Sequence, residues 1–257
     1  MYLGKPGGLI EIPDPRPGVE MTADRQGATN TTLGGRYRVD YPGAAPRTYS
    51  LSWGSDYPYL TPEQYDVLES LYLSPGPYVL LPYSAYGRWN YAPRSYAPWT
   101  VPYAGDQTYE FLPGSGLYGS VGSPVAPGLA WSFQALVTLT TGTSPELSSY
   151  LDWYAADKST LVTTTVGPTG TPATDTPWQL RVTGTAPSGA AYVVPRLSGT
   201  SMAAETSYTF SKAQLEIGQP TTPLLGRGCP LVSFSNLTMT YNYSYQISAD
   251  ATFVDVS

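Results

Sequence analysis

The chain has 257 residues and a formal net charge of -6; 41% of its residues are hydrophobic and only 12% are charged. That much apolar content excludes a disordered chain, and 13 Lys+Arg without a basic run exclude a nucleic-acid clamp, which needs clustered cations on phosphates. No apolar run approaches the ~18 residues of a membrane span.

The length fits one large or two modest domains. The charged fraction is about half the ~25% of an average soluble protein. Twenty-three Tyr, 26 Gly and 26 Pro describe many short strands joined by turns. The single cysteine, Cys229, rules out an intrachain disulfide and reads as a small residue near a strand start. No apolar stretch follows Met1 as a signal peptide requires, so synthesis in a cytoplasm is expected.

The first predicted strand covers residues 7–13 and stops at Pro13, Pro15 and Pro17. Residues 36–41 and 47–53 follow. In the second, Tyr49, Leu51 and Trp53 alternate with polar residues, which places all three on one buried face. One helix is predicted over 61–73. Thr61 serves as N-cap, Pro62 takes the first helical position and Gln64 closes a capping box. Glu63 and Asp66 sit near the positive end of the helix dipole. Tyr65, Leu68 and either Leu71 or Tyr72 form its buried stripe. A strand over 78–82 returns. The first fold is therefore a β-sheet or barrel packed by one helix.

Residues 83–102 lose this period and read as a connection between domains. Strands resume at 129, where Trp131, Phe133, Ala135, Val137 and Leu139 alternate with Ser132, Gln134, Leu136, Thr138 and Thr140 in a half-buried antiparallel strand. Residues 147–154, 160–166, 178–183, 190–197 and 208–217 continue at sandwich spacing. A Pro/Gly-rich linker precedes two long strands over 231–243 and 245–256. Two strands are not stable alone. Their simplest partner is the N-terminal sheet, which makes the middle domain an insertion at a point where two chain ends lie close.

Two resemblances rest on these residues. The strand W-S-F-Q-A-L-V (Trp131 to Val137), L-D-W-Y-A-A-D (Leu151 to Asp157), W-Q-L-R-V-T-G-T-A-P (Trp178 to Pro187) and A-Q-L-E-I-G (Ala213 to Gly218) are similar to carbohydrate-binding-module-like jelly rolls of phage tail and cell-wall proteins. The flanks resemble distal tail proteins of long-tailed phages of actinobacteria. That resemblance rests on L-G-K-P-G-G-L-I-E-I-P-D-P (Leu3 to Pro15), P-R-T-Y-S-L-S-W (Pro46 to Trp53), L-T-P-E-Q-Y-D-V-L-E-S-L-Y (Leu60 to Tyr72) and G-P-Y-V-L-L (Gly76 to Leu81).

The implied fold is mainly β: a split tail-hub sheet or barrel with one α-helix, interrupted by an inserted β-sandwich. Its parts are 1–95, an inserted jelly roll over 96–218, a linker over 219–230 and closing strands over 231–257. The resemblance implies a virion protein at the tail tip, made in the host cytoplasm. It implies a ring, usually of six copies, contacting the tube protein and the tip, hub or baseplate proteins. Host cell-wall glycan is a further partner implied for the jelly roll.

Catalytic chemistry is hard to find. The absence of His removes Ser-His-Asp and Cys-His catalysis and the commonest zinc ligand. There is no phosphate-binding glycine motif. The glycines from Gly114 to Gly122 lack a following helix and read as loop. A glycosidase needs two carboxylates about 5–9 Å apart. Asp152, Asp157 and Glu110 read instead as turn or solvated groups, and Glu216 as a structural hydrogen-bonding group near a strand end. No D-x-D-x-D-G calcium loop is present. No enzyme activity and no cofactor are expected. The candidates for stacking on a sugar are Trp99, Tyr103, Trp153, Tyr154 and Tyr192. Alternation puts Trp153 and Tyr154 on opposite faces, and Trp178 reads as core. The alternative to a ring subunit is a carbohydrate-binding adhesin whose flanks only anchor it.

Overall fold

The computed structural model describes residues 1–15, 20–23, 28–31, 37–40, 47–54, 59–82, 99–110, 122–142, 146–174, 176–219, 229–243 and 245–256. The chain is mainly β. Its elements begin with β1 (Tyr2–Lys5), β2 (Gly8–Glu11), β3 (Glu20–Ala23), β4 (Ala28–Thr31), β5 (Tyr37–Asp40) and β6 (Arg47–Trp53). Helix α1 (Pro62–Leu73), β7 (Tyr78–Leu81), β8 (Trp99–Glu110), β9 (Ser123–Pro124), β10 (Ala130–Thr141) and β11 (Leu147–Tyr154) follow. The order closes with β12 (Leu161–Gly170), β13 (Trp178–Thr185), β14 (Tyr192–Ile217), β15 (Leu231–Tyr243) and β16 (Gln246–Asp255). No helix among the described residues is long and apolar enough to cross a membrane.

Contacts divide the chain into two compact units. One holds Met1, Ile12–Tyr78 and Pro230–Ser257; the other holds Tyr2–Glu11 and Val79–Cys229.

In the first unit β16 pairs with β15 on one side and with β6 on the other, and β3 pairs with β6. The partners of the last strand therefore include one from the start of the chain. The register sets Ala249 opposite Trp53, Ala251 opposite Leu51 and Phe253 opposite Tyr49. These six side chains are at most 4% exposed. Small alanines beside Trp53 and Leu51 leave room for the larger groups, as close packing requires.

Helix α1 forms as its sequence predicts. Thr61 Oγ1 accepts from the Gln64 N–H at 3.3 Å, and Gln64 Oε1 accepts from the Thr61 N–H at 2.9 Å. The Glu63 carboxyl is held below its usual range, first by hydrogen bonding to its own backbone N–H and then by the Thr61 side chain. Tyr65 and Leu68 are buried, whereas Tyr72 is exposed. Its ring edge meets Phe234 at 5.6 Å between centroids. At the other end, the Tyr78 hydroxyl lies 2.8 Å from the Leu71 carbonyl and 2.9 Å from that of Ser74. The Leu71 carbonyl also accepts from the Ser74 N–H at 3.2 Å, so the phenol adds to a backbone bond at the helix end.

In the second unit β1 pairs with β2 and with β7, so the predicted opening strand is the return arm of a hairpin. The remaining strands form a β-sandwich with the path β12-β11-β14-β10-β13; β8 and β9 also pair with β14. Trp131, Phe133, Val137, Leu151, Trp153, Leu180, Val182, Val193 and Phe210 are all at most 1% exposed and make its core.

Three sequence expectations change here. β8 runs through residues 99–102, which the sequence assigned to a connection. The strands expected over 190–197 and 208–217 are one strand of 26 residues. Its first part pairs with β11 and its last with β10, so it joins those strands in one sheet. Finally, β10 is not half-buried along its length: Ser132 and Gln134, on the face opposite Trp131, are 1% and 6% exposed. Gln134 Nε2 donates to Gln214 Oε1 at 2.8 Å, and Gln179 Nε2 donates to Gln134 Oε1 at 3.1 Å. This amide chain replaces the water those groups would otherwise bind.

Candidate functional site

Period two along β11 sends Leu147, Ser149, Leu151 and Trp153 to the core. Ser148, Tyr150, Asp152 and Tyr154 go to the outer face. The register then decides their neighbours. On β14, Arg196 lies opposite Tyr150, Val194 opposite Asp152 and Tyr192 opposite Tyr154. On β12, Val166 lies opposite Tyr150 and Thr164 opposite Asp152.

The centre of this face is a charge pair. Arg196 Nε donates to Asp152 Oδ2 at 2.5 Å, and its Nη2 donates to Oδ1 at 3.3 Å. Thr164 Oγ1 donates to Oδ1 at 2.7 Å. The Arg196 guanidinium carbon sits 4.1 Å from the centroid of the Tyr150 ring, within cation–π range. The hydrogen bonds to Asp152 push the Arg196 pKa up. Asp152 is 4% exposed, so the expectation of a turn or solvated carboxylate is corrected for this residue. Both its oxygens are taken by Arg196 and Thr164.

The sugar-stacking candidates separate on the structure. Trp153 is 0% exposed and its indole N–H donates to Thr165 Oγ1 at 2.9 Å. Tyr192 is 2% exposed, with Lys158 Nζ 5.8 Å from its ring centroid. Stacking on a sugar requires an open ring face, so neither ring can serve, and both are corrected as candidates. The cause is packing: Trp153 points into the core, and Tyr192 is covered on the other face. Tyr154 is half-buried on that face, beside Tyr192. Trp99 and Tyr103 lie on β8, opposite Phe210 and Thr206, and their side chains fall outside the described residues. Trp178 is half-buried rather than core; its indole packs on Gly170, where any Cβ would overlap the ring.

Asp157 has a plain local role. It accepts from the backbone N–H groups of Ser159 and Thr160, each at 2.9 Å, and from the Thr160 hydroxyl. Those bonds, with the Thr160 hydroxyl first, lower its pKa to about 2. It is the turn residue the sequence indicates. Glu216 is 1% exposed near the end of β14, opposite Ser132. The side chain of Glu110 and residues 111–121, which include most of the glycine-rich loop, lie outside the described residues.

Tyr150 and Arg196 were not sequence candidates. The signal for Tyr150 was the alternation that separated Trp153 from Tyr154, carried two residues back to position 152 and four to position 150. Arg196 gave none, because its partner lies 44 residues away. Together with Tyr154 they present a partly exposed aromatic and hydrogen-bonding surface, whose positive charge is already matched by Asp152.

The sequence matches no protein-family model and none of the curated proteins. Among solved structures, the chain is similar to the CBM22-1 and GH10 modules of xylanase 10B from Clostridium thermocellum. There the identity is 9% and the TM-score 0.33, over 52% of this chain and 28% of that one. It is similar to bacteriophage CBA120 tailspike protein 4 at 8% identity and TM-score 0.29, over 78% of this chain and 19% of that one. It is also similar to a chain of the T13 particle of infectious bursal disease virus, at 9% identity and TM-score 0.37, over 99% of this chain and 77% of that one. The chain thus spans less than a third of the xylanase and tailspike chains. At these TM-scores none of the three defines its fold or carries an argument about its function.

Proposed function

We propose that the chain is a structural virion subunit of a long-tailed phage. In this reading it forms a ring, of six copies by resemblance, at the distal end of the tail tube. The ring joins the tube protein to the tip or baseplate, and the sandwich stands at its periphery and contacts host-surface glycan. No catalysis is assigned to it. The supporting observation is the pairing of residues 249–254 with residues 48–53. A chain that leaves its first sheet, builds a sandwich and returns to pair with its own start keeps one fold for assembly and adds another to it.

The test is native mass spectrometry of the purified chain, followed by imaging of intact tails with an antibody against the sandwich. A species of six times the 27.6 kDa monomer, and label around the axis at the tail end, support the reading. A monomer at all concentrations together with label elsewhere on the particle sinks it.

The second reading is an adhesin in which the sandwich does the main work. The half-buried Tyr150, Tyr154 and Arg196 on one face favour it. Deleting residues 96–218 separates the two. Particles that fail to assemble point to an architectural module, and particles that assemble but adsorb poorly point to an adhesin.

A further inference from the structure

A groove of about 360 Å³ opens between the edges of the sandwich, walled by Val166, Gly167 and Pro168 of β12 and by Arg181 and Thr183 of β13, with Gln219 at one end. Its volume lies at the small end of ligand pockets, roughly 300–1,000 Å³. We propose that this groove binds a short acidic saccharide through Arg181. The proposal rests on the reading that the sandwich contacts host glycan, and it names the ligand's charge.

Arg181 differs from Arg196 in one respect. Its side-chain partner is the neutral Gln219 Oε1, to which Nη2 donates, and no carboxylate pairs with it among the described residues. The amide orients the guanidinium without cancelling its charge. In a chain of net charge -6, an oriented cation with no carboxylate partner among the described residues selects an anion. It does so singly. A polyanion such as nucleic acid would meet one cation among the residues that line the groove.

The walls are held in place before any ligand arrives. The Ser149 hydroxyl lies 3.2 Å from the Pro168 carbonyl and 3.5 Å from that of Arg181, so one buried side chain reaches both strands from below. A Cβ on Gly167 would overlap Ser149 Oγ and come within 2.7 Å of Val182 Cβ, so glycine sets how closely β12 approaches β13. Opposite Arg181, Gln134 belongs to the buried amide chain described above. A site so fixed loses little freedom on binding. Val166, 63% exposed, offers an apolar wall for a sugar face, and Thr183 and Gln219 offer hydrogen bonds to hydroxyls. The oxyanion is a carboxylate or a phosphate; both suit a guanidinium fork.

The experiment is amide NMR titration of the full ¹⁵N-labelled chain with a glucuronic-acid disaccharide, with glycerol 3-phosphate and with a neutral disaccharide. Expected are shifts at Val166, Gly167, Thr183 and Gln219 with an acidic probe; the two acidic arms show whether carboxylate or phosphate is preferred. Arg181→Gln should weaken that binding about tenfold or more, and Arg181→Lys less. Equal binding of the neutral disaccharide, an unchanged affinity in Arg181→Gln, or the same shifts with a short oligonucleotide overturns the proposal. Neutral sugar shifting only Tyr150 and Tyr154 overturns it while leaving the glycan reading intact. No shift anywhere on the sandwich with any of the three probes overturns both.

Discussion

Arg196 grips Asp152, 44 residues away in sequence, through two nitrogens at 2.5 and 3.3 Å across two paired strands. The Asp152 side chain is 6% exposed and that of Arg196 is 22% exposed. Two charges drawn this far from water are held by each other, so losing one partner costs more than the pair contributes. Asp152→Ala should destabilise the sandwich by about 2–3 kcal/mol, less than a fully buried pair because Arg196 keeps some water. The double variant Asp152→Leu, Arg196→Met should cost less than Asp152→Ala alone. Urea denaturation followed by the tryptophan signal measures both, and equal losses in the two variants would contradict a pair held by mutual compensation.

The approach of β12 to β13 makes a second prediction. Gly167→Ala places a methyl against Ser149 and Val182 and should cost about 1–3 kcal/mol by overpacking. A thermal melt of the variant decides it. A Gly167→Ala protein as stable as the parent would mean that the strands part freely at this point.

The parts of the fold that were legible in the sequence are those set by local chemistry. The capping box from Thr61 to Gln64 fixed the start of α1 because both of its bonds span three residues. Period two identified β6 and β10, since a strand with one buried face must alternate. β8 was hidden because Pro102, Gly105 and Asp106 interrupt any alternation; the long pairing with β14 supplies what propensity lacks. The continuity of β14 was hidden for a similar reason, as its middle is held by pairing of Met202 and Thr206 with β8 rather than by its own residues. At the site, alternation separated Trp153 from Tyr154 correctly. It said nothing of what covers Tyr192, and nothing of Arg196, whose role depends on a distant strand.

The helix start offers a direct check on one local signal. Thr61→Ala removes the acceptor for the Gln64 N–H and should cost about 1 kcal/mol. Thr61→Ser keeps the hydroxyl and should cost far less. Hydrogen exchange at the first turn of α1 reads the change where it occurs. Unaltered protection in Thr61→Ala would mean that packing of Tyr65 and Leu68, rather than the cap, sets where the helix begins.

Tyr49 carries a pH dependence whose sign follows from its surroundings. Its pKa is pushed up from 10.0 to about 12, first by burial and then by the charge of Asp255. The phenol lies 3.4 Å from Asp255 Oδ2. Burial and a nearby carboxylate both disfavour phenolate, so the folded state holds the proton more tightly than the unfolded chain. The stabilisation is therefore fully present below about pH 10 and is lost as the pH rises through about 12. In a chain labelled at the tyrosine ring carbon, the Tyr49 resonance should remain phenolic after the exposed tyrosines have ionised. That resonance should be absent in Tyr49→Phe. In Asp255→Asn it should titrate earlier, because the second cause is gone while burial remains. A resonance that titrates with the exposed tyrosines would show that the Tyr49 hydroxyl meets water at the edge of the sheet, and the packing of β6 against β16 would then be looser than its register indicates.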